Sequence, residues 1–80
     1  MQTIHFELEG TYVELNLLLK LVGLCDSGGA GKHLVASGAV RVGGVTELRK
    51  TCKILAGQVV SLGDVEIHVL ADPVGKRSEK

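Results

Sequence analysis

The first residues of the chain alternate between apolar and polar side chains. Ile4, Phe6 and Leu8 are separated from one another by single polar residues. A period of two is typical of a β-strand that buries one face and exposes the other. The pattern therefore predicts a half-buried strand at the start of the chain.

The next segment repeats its apolar residues at the spacing of a helix. Its stripe consists of Leu15, Leu18, Leu19 and Val22. Thr11, with Glu14 three residues later, is typical of a capping box, which satisfies the first free amides of a helix. Gly23 is a typical helix stop, because glycine adopts the left-handed conformation without strain. These signals predict a helix from Tyr12 to Val22.

A second helix is indicated after the first one. Either Asp26 or Ser27 can cap its start, and Gly38 can end it. Its apolar face consists of Ala30, Leu34 and Val35.

Two β-hairpins are expected in the second half of the chain. Gly43-Gly44 and Gly63-Asp64 are two-residue turn signals between stretches rich in valine, isoleucine and leucine. Arg41 lies between two valines that should face inward, so its side chain is expected to point outward.

The whole pattern predicts one α+β domain, in which two packed helices lie against a small, mostly antiparallel sheet. We expect the N-terminal strand to join the C-terminal strands in that sheet. The domain should span residues 1–72, and residues 73–80 should form a flexible polar tail.

Composition adds that the core must be aliphatic. Eighty residues leave room for one domain, and Phe6 and Tyr12 are its only aromatic side chains apart from histidine. Leucine and valine must therefore supply most of the buried surface. Cys25 and Cys52 lack metal-binding spacing, so we interpret them as reduced, mostly buried thiols of a cytoplasmic protein.

The stretch SGGAGKH, residues 27–33, raises the question of a phosphate-binding loop. A Walker loop requires a glycine where this chain has Asp26, a hydroxyl where it has His33, and a preceding strand. That interpretation fails, and the stretch is instead a helix start with few side chains. Bare amides there suit a phosphate, and Lys32 adds a charge one turn on. From spacing alone, anion binding and close helix packing explain the glycines equally well.

The net charge is zero, but the charges are unevenly distributed. Residues 20–53 contain six basic residues against two acidic ones, whereas residues 1–19 contain three acidic residues and no lysine or arginine. A neutral chain can thus present a basic face. Its candidate members are Lys32, Arg41, Arg49, Lys50 and Lys53.

With these elements in place, residues 14–44 resemble the RNA-binding domain first described in ribosomal protein S-four, known as the αL motif. The run ELNLLLKLVGLCDSGGAGKHLVASGAVRVGG fits that family's pattern without a gap. The matching positions are Leu15, Leu19, Gly23, Leu24, Ser27, Leu34, Val35, Gly38, Val40, Val42 and Gly44. Glu14, Gly28 and Gly43 depart from the pattern, because the family has Arg, Arg and Asn there.

These departures are similar to those of a subfamily of small stand-alone YbcJ/YaaA-like proteins. Its members resemble this chain in a helix start of the form Ser/Thr-Gly-Gly-x-Ala/Gly-Lys, here Ser27 to Lys32. They also share a run in which glutamate, arginine and lysine take the positions of Glu47, Arg49 and Lys53.

The resemblance implies a cytoplasmic, monomeric protein that binds structured RNA without catalysis. The expected partner is ribosomal or transfer RNA, with the ribosome as a candidate assembly. The contacts assigned on this basis are Ser27, Gly28, Gly29, Lys32, His33, Arg41, Arg49, Lys50 and Lys53. Proteins that recognise single-stranded RNA stack its bases on aromatic side chains. Because this chain has few aromatic side chains, it should recognise the phosphates and the shape of the RNA instead. We expect no cofactor, metal ion or membrane contact.

Two alternatives to RNA binding remain open. The domain can be a protein-interaction module that kept the fold but lost RNA binding, as Glu14 and Gly28 suggest. The glycine turn can also act alone as a sensor of an anion or nucleotide. His33 can assist a phosphate or base contact, or it can be an ordinary exposed histidine. RNA capture at low and moderate salt separates these interpretations.

Overall fold

The computed structural model of the protein describes residues 1–72. Stretches in which apolar and polar residues alternate form most of its secondary structure. The elements in chain order are β1 (Gln2–Glu7), β2 (Val13–Glu14), α1 (Leu15–Leu21), α2 (Gly28–Ala36), β3 (Val40–Val42), β4 (Val45–Thr46), β5 (Lys53–Ile54), β6 (Val59–Leu62) and β7 (Val65–Leu70). The tail expected at residues 73–80 lies outside the described residues.

The strands form a five-stranded sheet in the order β1-β7-β6-β3-β4, and β2 pairs with β5 in a separate two-stranded sheet. All neighbours are antiparallel except β1 and β7, which run parallel with Ile4 opposite Ile67. The α+β class is therefore confirmed, and so is the pairing of the N-terminal strand with the C-terminal ones.

One face of the large sheet and both helices enclose an aliphatic core. Its members are Leu8, Leu15, Leu18, Leu19, Val35, Val40, Ile54, Val60, Ile67 and Val69. Phe6 packs only partly buried against this cluster. Leucine, isoleucine and valine thus supply the buried surface, as the composition predicts. Cys25 and Cys52 are free and half-buried beside the core, less buried than expected.

Both predicted hairpins are present. Val42 pairs with Val45 across Gly43 and Gly44, whose φ angles of 61° and 84° are those of a turn with two left-handed positions. Leu62 pairs with Val65 across the second turn.

The predicted start of the first helix is wrong. α1 begins at Leu15 rather than Tyr12, and Glu14 occupies the N-cap in an extended conformation without a side-chain capping bond. The Thr11–Glu14 capping box does not form, because Val13 and Glu14 pair with β5 instead.

A distant loop caps α1 in place of that capping box. The amide of Leu15 donates to the carbonyl of Cys52 at 2.8 Å, and the amide of Asn16 donates to the carbonyl of Lys50 at 3.1 Å. The helix stop predicted at Gly23 is confirmed. Gly23 has φ +86°, and its amide closes the last turn on Lys20 at 3.0 Å.

Helix α2 follows the prediction and selects Ser27 over Asp26 as its cap. The hydroxyl oxygen of Ser27 accepts from the amide of Ala30 at 3.1 Å. Gly38, with φ +85°, follows the end of α2. Within residues 1–72, neither helix has the length and apolar character needed to cross a bilayer.

The two helices make their closest approach at Gly31. This glycine is buried, and a Cβ built on it would overlap the carbonyl oxygen of Asn16 and lie 3.0 Å from the carbonyl carbon. The obstacle is backbone, so no side chain can rotate away to make room. Close packing therefore explains Gly31.

We expect Gly31→Ala to destabilise the fold, because an added methyl group must push α1 and α2 apart. Overpacking costs about 1–3 kcal/mol, and each kcal/mol lowers the melting temperature of a domain this size by roughly 4–8 °C. Gly29→Ala is the matched control, because its Cβ would meet only the Ser27 hydroxyl at 3.8 Å. Thermal melts of the two variants check this. A Gly31→Ala protein as stable as the control would contradict the packing role.

Candidate functional site

The start of α2 presents an amide surface with little in front of it. Gly28 and Gly29 occupy the first two helical positions, where amides have no partner within the helix. Gly29 is exposed and a Cβ there would find open space on most sides, whereas a Cβ on Gly28 would lie 3.3 Å from Leu17 and 3.4 Å from Asn16. Of the two glycines, Gly29 is therefore the one whose bareness leaves the surface open without serving packing.

Lys32 and His33 lie one turn further along α2, and both are exposed. Residues four apart share a face of a helix, and side chains lean toward the N-terminus. Lys32 is thus placed on the same face as Gly28, and His33 on the same face as Gly29. A full positive charge and an imidazole adjoin the free amides.

Asn16 connects this helix start with the basic loop of residues 47–53. Its backbone amide donates to the Lys50 carbonyl at 3.1 Å, and its side-chain Nδ2 donates to the Gly28 carbonyl at 3.4 Å. Lys50 and Gly28 are therefore held on either side of one residue. The structure brings the Lys50 segment to the start of α2, a proximity that sequence spacing does not show.

Sequence reasoning missed Asn16 itself. It is only 4% exposed, and its Oδ1 is buried without a hydrogen-bond partner among residues 1–72. A lone amide inside the aliphatic run LNLLL was the available signal. Burying an amide is unfavourable unless it bonds, so its presence there indicates a structural task.

Arg49 is less available than its sequence position suggests. Its Nε lies 2.9 Å and its Nη2 lies 3.1 Å from the two carboxylate oxygens of Glu47, and its backbone amide donates to the same group at 3.0 Å. These hydrogen bonds lower the pKa of Glu47 from 4.5 to about 2 and raise the pKa of Arg49. Most of the Arg49 charge is therefore balanced locally, although 76% of its side chain is exposed.

The remaining cations of the loop differ in their surroundings. Lys50 is exposed, whereas the Lys53 ammonium lies 4.9 Å from the centre of the Tyr12 ring. Cys52 lies between them in sequence, and Arg49 Nη2 is 3.5 Å from its sulfur. Partial burial raises the pKa of the Cys52 thiol, which favours the unreactive protonated form.

Arg41 stands apart from the other predicted contacts. It is exposed on β3, between Val40, which is buried in the core, and Val42, which packs against it. Its side chain therefore projects from the open face of the sheet, opposite to the helices. There it lines a shallow cavity of about 350 Å³ with Ser61 and Asp64. The structure does not bring Arg41 to the start of α2.

Within residues 1–72, no group of three histidine, cysteine, aspartate or glutamate side chains is placed to hold a metal ion. Two histidines and a glutamate lie near one another on the open face of the sheet. His68 Nε2 lies 3.2 Å from Glu66, and the rings of His5 and His68 are 5.6 Å apart.

Comparison with known proteins identifies relatives over nearly the whole of the described chain. A family model for the S4 domain matches residues 6–70. The Escherichia coli protein named "Putative RNA-binding protein YbcJ" is 48% identical over 60 residues, which are 75% of this chain and 86% of the relative. YbcJ of Shigella flexneri shows the same identity over the same lengths.

A solved structure supports the same relationship. The solution structure of Escherichia coli YbcJ, described as revealing an αL motif involved in RNA binding, has a TM-score of 0.68 to this chain. The two are 43% identical, and the match covers 89% of this chain and 91% of that one. The predicted family and the arrangement of two helices on a mostly antiparallel sheet are thereby confirmed.

The Glu47–Arg49 pair predicts a pH dependence of stability. Because folding lowers the pKa of Glu47 to about 2 from 4.5, the stabilisation is complete above pH 4.5 and is lost as the pH falls toward 2. Glu47→Gln should therefore be less stable than wild type at neutral pH, and the difference should vanish near pH 2. Salt should shrink the difference, since 76% of the Arg49 side chain is exposed.

Urea unfolding at several pH values between 7 and 2 measures this. Glu9→Gln is the control, because Glu9 forms no salt bridge with any residue of 1–72. A Glu47→Gln deficit that persists unchanged at pH 2 would contradict the assignment.

Proposed function

Since the chain belongs to the S4 domain family, we propose that it binds structured RNA, ribosomal or transfer RNA, and catalyses no reaction. In this proposal it acts as a monomer in the cytoplasm, in association with the ribosome. The Escherichia coli relative supports the RNA partner, because it carries the name "Putative RNA-binding protein YbcJ" and its solution structure is described as revealing an αL motif involved in RNA binding.

One observation carries the proposal for the site. Asn16 holds the Lys50 segment beside the start of α2, where the amides of Gly28 and Gly29 are open and Lys32 is exposed. Free amides and the positive end of a helix dipole bind phosphate, and lysine supplies a full charge. Ser27 keeps the helix start rigid through its bond to Ala30.

The predicted contacts divide into three groups in this proposal. The first group surrounds the N-terminal ends of α1 and α2 and consists of Ser27, Gly28, Gly29, Lys32, His33, Lys50 and Lys53. Arg49 contributes mainly by shaping the loop, because Glu47 already balances its charge. Arg41 touches RNA only if the RNA also reaches the open face of the sheet.

Recognition in this arrangement rests on phosphates and shape. Phe6 is partly buried against the core, and the Tyr12 ring is engaged by Lys53. The described chain thus offers little for stacking unpaired bases. Folded RNA presents phosphates and 2′-hydroxyls at fixed spacing, which suits a rigid helix start.

We expect RNA affinity to depend steeply on salt. Neutralising about three phosphates with Lys32, Lys50 and Lys53 gives a slope of roughly −2 to −3 in a plot of log affinity against log salt. Replacing Lys32, Lys50 and Lys53 together with glutamine should reduce the slope by roughly 2 to 3 units. Fluorescence anisotropy with folded transfer RNA measures both quantities.

Lys20→Gln serves as the control for this charge effect. Lys20 is exposed in the last turn of α1, at the opposite end of that helix from the proposed site. The RNA affinity of the Lys20→Gln protein should stay within about twofold of the wild-type value. A wild-type slope near zero would reject RNA binding in favour of a protein-interaction module.

We expect Gly29→Ala to weaken RNA binding without loss of stability. The added methyl group has room within the protein. Because a Cβ atom tilts toward the N-terminus of its helix, we expect this methyl group to keep a phosphate away from the free amides. Alanine also favours a helix by up to about 1 kcal/mol relative to glycine. Melting and RNA titration of the same protein separate the two effects. Wild-type affinity in a fully folded Gly29→Ala protein would remove the amides from the site.

A further inference from the structure

A pocket of about 250 Å³ opens beside α1, outside the residues assigned to RNA. It is lined by Phe6, Glu7, Glu9, Tyr12, Val13 and Leu21. The pocket therefore combines four apolar or aromatic residues with two acidic ones.

Its side chains are open to solvent. Leu21 is 60% exposed and Tyr12 is 42% exposed, and both glutamates are exposed. Neither Glu7 nor Glu9 forms a salt bridge with any residue of 1–72. Exposed apolar side chains beside exposed carboxylates can accept a long cationic side chain, which needs apolar contact for its stem and a negative partner for its head.

The folded protein already shows that the Tyr12 ring attracts a cation. The Lys53 ammonium lies 4.9 Å from the ring centre, in the range of a cation–π interaction. Lys53 belongs to β5 and is not among the residues that line the pocket. Tyr12 thus lines the pocket and also contacts the Lys53 ammonium.

We propose that this pocket docks an arginine side chain from a basic segment of another protein. The aliphatic stem of the arginine packs on Val13 and Leu21, as long cationic side chains commonly do on apolar surface. Its planar guanidinium packs against the part of Tyr12 that Lys53 leaves exposed and bonds the carboxylate of Glu7 or Glu9 in two places. The volume suits one long side chain and is below the usual range for small-molecule pockets.

This interaction goes beyond RNA binding and does not rest on it. The two glutamates that line the pocket repel phosphates, which argues against RNA as its occupant. It lies within the acidic N-terminal part of the chain, where residues 1–19 carry three glutamates and no lysine or arginine. The uneven charge therefore serves two partners of opposite sign.

The test uses the full chain and a fluorescein-labelled peptide that alternates arginine with leucine and glycine. Glu7→Gln combined with Glu9→Gln should weaken peptide binding at least tenfold. The matched control, Asp26→Asn with Asp64→Asn, removes the same charge elsewhere and should stay within twofold. A peptide with citrulline in place of arginine keeps the shape without the charge and should also bind at least tenfold more weakly.

Backbone amide NMR shifts locate the bound peptide. They should change at Glu7, Glu9, Tyr12 and Leu21 and persist when transfer RNA is added. Equal affinity for the glutamine and control variants, or shifts confined to other surfaces, would overturn the proposal. RNA titrations are separate, so failure here leaves the RNA assignment unaffected.

Two further outcomes would assign the pocket to a different occupant. If Lys76→Ser with Arg77→Ser alters the pocket resonances without added peptide and tightens peptide binding, residues 73–80 of the chain itself occupy it. If the resonances shift when the protein alone is diluted, a second copy occupies it. Either result overturns docking of another protein.

Discussion

At the crossing of the two helices, the backbone of Gly31 lies directly against the carbonyl group of Asn16, with no space for a side chain between them. This approach fixes where α2 begins relative to α1. It also places the Asn16 side chain within reach of the Gly28 carbonyl and leaves the Asn16 amide for the Lys50 carbonyl. Three segments distant in sequence meet at one residue, and the candidate site exists because they do. A wider crossing would separate the open amides from the basic loop.

Charge in this molecule is organised by pairing as well as by position. The Glu47 carboxylate is held so strongly by Arg49 that its pKa falls to about 2, and the loop between them keeps a defined shape. That shape aims the carbonyls of Lys50 and Cys52 at the first amides of α1. A segment that looks like charged surface in the sequence therefore also completes a helix. Because the carbonyls of Lys50 and Cys52 are bonded to α1, the backbone that carries the lysines of this segment is held in place.

Local signals in the sequence were sufficient for much of the fold. The cap at Ser27, the stop at Gly23 and the turn at Gly43-Gly44 each depend on neighbours in sequence, and each was predictable. The start of α1 was not, because the two residues before it pair with Lys53 and Ile54, about forty positions later. That long-range pairing overrides a local capping preference worth about 1 kcal/mol.

The candidate site shows the same division between local and long-range signals. The sequence alone was sufficient to predict the glycine-rich helix start and the outward direction of the Arg41 side chain. The separation of Arg41 from the start of α2 could not, nor could the role of Asn16. Both depend on which face of the sheet the helices cover and on how closely they cross.

The parallel pairing of β1 with β7 sets an order on how this chain can fold. Residue 2 pairs with residue 65, whereas α1, α2 and the β3–β4 hairpin are built from neighbours in sequence. Contacts of such separation form slowly, because a long loop must close before they yield any stabilisation. Until β1 docks, β7 offers an unpaired edge beside the apolar side chains of Ile67 and Val69. β1 is thus expected to be among the last elements to be placed, and its arrival covers the edge of β7.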